Sequence, residues 1–324
     1  MANRLNRASA LLAKIETVVG TDAVPTGGAN AMLPGNIDVR PLVANNVNRE
    51  RIRSFIGGNP ALVGPKYKEI SFDVEAVGSG SAGVAPAWGC LARACAFAET
   101  IIASTRVDYT PITDSQESVS IYAWKDGVRH VLLGAKGEWG IKLKAGEIPM
   151  WTFRFMGLDG GETAVSNPSV TLTGWRVPQV VQDAFTADLV SGGTVAATGA
   201  PAIVGGTAIV SDGLELQSGH EVSFTPLIGL ETIDITGREV TGSTRLDDTA
   251  AGEITRMGLL RANTLATLSM LHGTVTGDKL LVHLASAQFS EMSYDEVNGK
   301  LLQRYALRGV PVNGNDEIRI VTSF

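Results

Sequence analysis

The residues best placed to do chemistry are Gly78-Ser79-Gly80-Ser81-Ala82-Gly83, a literal GxGxxG between a β-patterned segment and an apolar-striped one, with Glu99 downstream. On spacing alone this is a dinucleotide fingerprint: the glycines let backbone approach a pyrophosphate at a helix N-terminus, and the acid holds a ribose hydroxyl. The surroundings argue against it. The preceding segment alternates charged with apolar residues, whereas a nucleotide-binding parallel strand is buried on both faces. The helix expected next opens only at Pro86, past the glycines, and Glu99 falls inside it. The segments beyond that helix read as antiparallel strands, not βαβ units. The six residues read as a flexible turn.

The four histidines, His130, His220, His272 and His283, have no Cys, Asp or Glu at a metal-ligand spacing, and each reads as a strand residue with a satisfied ring nitrogen. Asp247-Asp248 and Asp295-Glu296 read as cap or turn residues. GxSxG, HExxH, Walker and EF-hand patterns are absent. The sequence predicts a non-enzyme with no cofactor and no metal. Cys90 and Cys95, if helical, point roughly 140° apart with Cα atoms beyond the ~7 Å limit for a bridge. They read as free buried thiols, which favours assembly in a reducing cytoplasm.

Net charge is −6, unevenly placed: 17 basic against 15 acidic residues in 1–160, and 10 against 18 in 161–324. An acidic chain grips nucleic acid poorly, because phosphate contacts supply most of that affinity. No apolar run approaches the ~18–20 residues of a membrane span. Arg4 and Arg7 precede an apolar stretch, Ala8 to Ala13, that Lys14 closes too soon for a signal sequence.

The elements around the glycine turn are those of a β protein. With 324 residues, 37 of them Gly, and 44% apolar content, the chain can bury one large core or two ordinary ones. Ile70, Phe72, Val74 and Ala76 alternate with Glu69, Ser71, Asp73 and Glu75, as in a half-buried strand. Pro86 opens a helix to about Ile102. Strands return from Ser118 to Leu158, with Asp126-Gly127 as a hairpin turn. The acidic row Glu69, Asp73, Glu75 is either an ordinary solvent face or a charged surface that repels a polyanion.

Residues 1–67 carry many Pro and Gly and leave room only for short strands such as Asn36–Val39. The charge run Arg49, Glu50, Arg51, Arg53 lies in the irregular segment 40–66, which is either a solvated loop or a segment that reaches a neighbouring subunit. A Gly-, Ala-, Ser- and Thr-rich stretch (159–167, then 189–213) suggests a domain boundary, with short strand candidates at Ser169–Val177 and Ala202–Val210. Beyond it the order of elements repeats. Thr232–Leu246 supplies two β segments around Gly237, and Asp247-Asp248-Thr249 offers an N-cap for a helix striped by Ile254, Met257 and Leu260. Thr267–Leu271, Lys279–Leu284, Ala287–Tyr294 and Leu301–Val310 supply strands. This divides the chain into 1–165 and 166–324.

Several segments together resemble the tail tube (major tail) proteins of long-tailed bacteriophages. They are Leu11–Thr26 (LLAKIETVVGTDAVPT), Cys90–Glu99 (CLARACAFAE), Ser115–Ser120 (SQESVS), Asp126–Gly134 (DGVRHVLLG) and Gly314–Val321 (GNDEIRIV). The resemblance implies a mainly β fold, a sandwich or barrel with flanking helices. Here there would be two tandem tail-tube-type domains, each an antiparallel sheet pair with one α-helix. It also implies rings that stack into the tail tube of a virion, assembled in the host cytoplasm, which conducts DNA without binding it specifically. The implied partners are other copies of the chain, a tape measure protein, and tail terminator and tip proteins. A single tube domain needs about half this length, so the duplication implies three chains per pseudo-hexameric ring, with six as the alternative. The competing class is a carbohydrate- or protein-binding β-sandwich of a tail tip or adhesin. It requires an exposed aromatic cluster, for which Trp124, Trp139 and Trp151 are candidates, although strand alternation places them in the core.

Overall fold

The computed structural model describes residues 4–5, 9–196 and 199–324; Arg7 and Ala8 lie outside the described residues. The first half runs β1 (Ser9–Ile15), β2 (Ala31–Met32), β3 (Pro34–Asn48), β4 (Ala61–Glu75), α1 (Gly89–Arg93), β5 (Phe97–Ile102), β6 (Arg106–Pro111), β7 (Val119–Lys125), β8 (Val128–Lys144) and β9 (Met150–Ala164). A stretch without regular structure leads to residue 188. The second half begins with the short strands β10 (Leu189–Ser191), β11 (Thr194–Val195), β12 (Ile203–Val204) and β13 (Thr207–Ile209). It continues through β14 (Ser211–Gln217), β15 (Glu221–Leu227), β16 (Leu230–Gly237) and β17 (Thr241–Leu246). It ends with α2 (Ala250–Arg261), β18 (Leu265–His272), β19 (Leu280–Val297), β20 (Lys300–Gly309) and β21 (Arg319–Thr322). The fold is mainly β, as the sequence indicates.

One neighbour order occurs in both halves. In the first, strands pair as β2-β1-β7-β8-β9-β4-β3, every pair antiparallel. In the second the order is β13-β10-β18-β19-β20-β17-β14, again antiparallel throughout. The halves meet where β8 pairs with β14, Lys144 opposite Gly213 through Gly140 opposite Gln217. This makes one face of the molecule a continuous layer, β3-β4-β9-β8-β14-β17-β20-β19. The C-terminal strand β21 completes the other layer, pairing with both β6 and β19. The sheet does not close on itself within one chain.

The main core is one cluster drawn from both halves, from Leu11 to Ile320. In the first half it is aromatic: Trp88 packs at a tilt against Trp151 and Tyr109 with ring centroids 5.1 Å apart, and Phe153 stacks on Phe155 at 5.8 Å. Trp124, Trp139 and Trp151 are all buried, so they form no exposed aromatic cluster. Ile70, Phe72, Val74 and Ala76 are buried as their alternation requires. Asp126 and Gly127 both adopt positive φ (40° and 82°), the geometry of the primed hairpin turn.

Four expectations need correcting. The helix expected from Pro86 to Ile102 is only the five residues of α1; Ala96 turns the chain at φ 55°, and Phe97–Ile102 is strand. Apolar spacing over so short a run does not separate strand from helix, and Thr100, Ile101 and Ile102 are β-branched, which favours strand. The cysteines are free, but Cys95 lies past the end of α1, so helical spacing does not govern them. Segment 40–66 is mostly two paired strands, with only 49–60 irregular. Its Pro41 sits in an edge strand at a register shift, and Pro65 lies where β4 has left β9, the sites where a sheet tolerates proline. Ser169–Val177 forms no strand, whereas Ala202–Val210 contains β12 and β13.

Candidate assembly surfaces

The outward face of the β3-to-β19 layer carries the acidic row. Glu69 is nearly buried between Arg40 (3.2 Å) and Arg154 (3.5 Å). Asp73 accepts hydrogen bonds from Asn36 Nδ2 and Thr152 Oγ1, both at 2.8 Å. Glu75 stands half-buried at the strand end, where burial raises its carboxyl pKa. Cations interleave with the row: Arg154 also meets Glu138 (3.2 Å), and Lys142 meets Glu147 (2.6 Å) and Glu215 (3.9 Å). The mosaic continues into the second half, where a shallow cleft is lined by Glu215, Gln217, Ser243, Glu291 and Arg304. A face so dense in matched ion pairs presents little net charge to anything passing over it, and exposed pairs of this kind contribute little stability.

The second surface is a hairpin arm. β4 pairs with β9 only as far as Tyr67 opposite Leu158, so the remainder of β3 and β4 projects as a two-stranded ribbon roughly 25 Å long. Lys68 fixes its base. Although fully buried, its Nζ reaches Asp159 (2.8 Å), Glu162 (2.6 Å) and the Gly161 carbonyl (2.8 Å). Burial works against ionisation of Asp159, but Lys66 and Lys68 together hold its carboxyl well below the usual carboxylate range. Arg49, Glu50, Arg51 and Arg53 lie at the arm's tip, Glu50, Arg51 and Arg53 exposed and Arg49 partly so. With them are Ile52, Phe55 and Ile56, of which Ile52 and Ile56 are fully exposed; the Arg53 guanidinium lies 5.6 Å from the Phe55 ring centre. Apolar side chains grouped in this way mark a surface meant to be covered.

Two features went unassigned in the sequence. Glu16 is buried and accepts from Ser118 Oγ (2.6 Å), Ser120 Oγ (2.7 Å), Gly134 N (2.8 Å) and Gly20 N (2.8 Å). Arg93 clasps Glu117 through two 2.6 Å contacts. Four of the five segments that carry the resemblance therefore converge in one polar region beneath the turns. The spacing Glu16…Ser118…Ser120 carries no signal by itself; only the fold brings these residues together.

The glycine turn is neither a nucleotide site nor flexible. Gly80 N donates to the Gly277 carbonyl (3.1 Å), Gly83 N to the Ser323 carbonyl (2.9 Å), and Ser79 N to Ser323 Oγ (3.1 Å). A Cβ on Gly78 would stand 2.1 Å from the Gly277 carbonyl oxygen. The donors a phosphate would need are spent on docking the first half against the second. His220 lies in a turn, its Nδ1 donating to the Gly137 carbonyl (3.0 Å), and His283 Nδ1 pairs with Ser269 Oγ (2.8 Å). His272 bonds Thr186 and Gln179, and His130 lies 3.9 Å from Glu162 without a hydrogen bond. Among the described residues no three His, Cys, Asp or Glu side chains converge as a metal site. Among them, too, no helix is long and apolar enough to cross a membrane.

The geometry defines a class of protein: a two-layered antiparallel β structure whose conspicuous surfaces are a sheet edge, a projecting ribbon and a polar sheet face. A model of the phage tail tube protein family matches residues 6–322, and the chain belongs to that family. It is accordingly a structural component of a virion tail, of a kind that self-assembles into a tube. No curated protein matches the chain.

Proposed function

We propose that this chain polymerises as stacked rings into a tail tube that conducts DNA during ejection, and that it performs no catalysis. The observation that carries the reading is the repeated neighbour order, with the halves joined edge to edge by β8 and β14 and the outer edges left free. A sheet ending in unpaired strands is a template for further pairing, and closing it into a ring removes the edges. Each half then acts as one tube-type unit, 1–165 and 166–324, so three chains make a pseudo-hexameric ring; six chains remain the alternative stoichiometry. Rings stack through a heterologous contact, which generates an open polymer.

In this arrangement the polar face of the eight-stranded layer lines the channel, with Glu69, Asp73 and Glu75 among its acids. Because Glu69 is paired with Arg40 and Arg154, and Glu138 and Glu215 on the same face with Arg154 and Lys142, the lining neither grips phosphate nor strongly repels it. The arm, with Arg49, Glu50, Arg51 and Arg53 at its tip, reaches the adjacent ring and buries Ile52, Phe55 and Ile56 there. The tube grows in the host cytoplasm around a tape measure protein and ends on terminator and tip proteins. Negative-stain microscopy of the purified protein tests this directly: hollow tubes are expected, and a preparation of isolated globules at every concentration would overturn it. Removing residues 49–60 should leave the circular dichroism spectrum native while tubes disappear. If tubes of normal length persist, the arm has a different role.

A further inference from the structure

The seam inside the chain gives the register of the seam between chains. Resting on the tube reading above, we propose that the free edge of β3, Asn36–Arg40, pairs antiparallel with the free end of β19, Ser293–Val297, of a second copy. The pairing would use the alignment that β14 and β8 use within one chain.

The equivalence follows from structure, position by position. β3 and β14 are the last strands of the repeated order, and each carries a bulge near its start: a register shift between Gly35 and Asp38 in one, and between Ser211 and Leu214 in the other. The bulge residues Asn36 and Gly213 both have positive φ, 48° and 125°. Next in each strand come two inward apolar residues, Ile37 and Val39 against Leu214 and Leu216, all touching the core. For β8 and β19 the match runs through their neighbours. Val74 opposite Trp151 is equivalent to Leu246 opposite Gln303. Ile141, opposite Trp151, is therefore equivalent to Tyr294, opposite Gln303. The strands also end together, at Lys144 and Val297.

Carrying the internal seam across sets Asn36 opposite Val297, Asp38 opposite Asp295 and Arg40 opposite Ser293. Both edges are available among the described residues: there β3 pairs only with β4, and β19 beyond Gln288 pairs only with β20. The length is right as well: the internal seam stops at Gln217, and after the equivalent Arg40 comes Pro41, which has no N–H to extend a ladder. Two carboxylates meet at Asp38 and Asp295, but Arg245 already lies 3.7 Å from Asp295 and Arg40 stands diagonal to it. The pair is thus compensated. A slip of two residues toward the arm would force Pro41 into the ladder opposite Tyr294.

The test uses cysteine pairs on this exposed face, oxidised by copper phenanthroline, which takes up the two electrons as the two thiols lose their protons and join. D38C/D295C should give intermolecular disulfides at about tenfold the rate of D38C/V297C or D38C/S293C, since a two-residue offset puts the Cα atoms beyond about 7 Å. Chains carrying D38C alone and D295C alone, mixed before assembly, should give the same band, and neither alone should. Tubes that form without this cross-link, or that cross-link equally in an offset pair, overturn the register while leaving the tube reading intact. Native-like circular dichroism with neither tubes nor cross-links overturns both.

Discussion

The two halves share one order of seven strands and fill it differently. Beneath the first, α1 is five residues long with Gly89, Leu91 and Ala92 buried, and the space is taken by Trp88, Trp139, Trp151 and Phe153. Beneath the second, α2 is twelve residues long with no buried residue, and Phe289 and Tyr305 provide the aromatic contact there, 5.2 Å apart. α1 has no side-chain cap, whereas the Thr249 hydroxyl accepts from Gly252 N at 3.1 Å. Strand order here therefore depends on alternation, turns and register, which both halves keep, while the filling decides only where the helix lies. A helix drawn into the core shortens to what the aromatic rings leave room for. One left outside needs its own cap.

Substitutions in each half put this contrast at risk. The largest effect is expected for Trp151→Ala, which opens a cavity in the aromatic half and should cost about 3–5 kcal/mol, read by urea denaturation. A cost below about 1 kcal/mol would mean the first half is not held by its rings. Glu16→Ala strands two hydroxyls and two backbone N–H groups in the first half and should cost on the order of 3 kcal/mol. Among the described residues the second half has no counterpart to this hub, which makes it a test of whether the halves differ in polar as well as apolar filling.

Acid should weaken the molecule mainly through the junction and the second half. Burial lowers the His220 and His283 pKa values to about 4, with Arg238 and Arg319 respectively adding to the effect. The unfolded chain takes up these protons from about pH 6.5 downward while the folded chain does not. Stability is therefore complete above about pH 6.5 and declines toward about pH 4. Thermal melts across that window should show a falling midpoint, and H220Q/H283Q should flatten the slope. Smaller still, Thr249→Ala should cost about 1 kcal/mol through loss of the cap. Ile254→Ser, at an exposed helix position, should stay within about 0.5 kcal/mol in the monomer.

Much of the first layer was legible in the sequence because its signals are local. Ile70 to Glu75 alternate, Asp126-Gly127 forces a primed turn, and Thr249 offers a hydroxyl just ahead of a helical stripe. Signals that depend on the other half were not legible. Nothing near Gly78 announces that Gly277 and Ser323 will consume its neighbours' donors. The arm was hidden because Pro41, Gly64 and Pro65 look like breakers until one sees that they fall at an edge and at register shifts. The acidic row was visible as a row, but the arginines that quench it come from β3 and β9, and only strand pairing puts Arg40 and Arg154 beside Glu69.

Two strands, β8 and β19, begin in one layer and finish in the other, each a single strand of 17 or 18 residues that continues through its bulges. A shear force on one wall of the sandwich is therefore carried to the opposite wall by covalent backbone, not by side chains sliding past each other. The layers cannot creep apart, so a cylinder built from such units would flex as a single thickness of material.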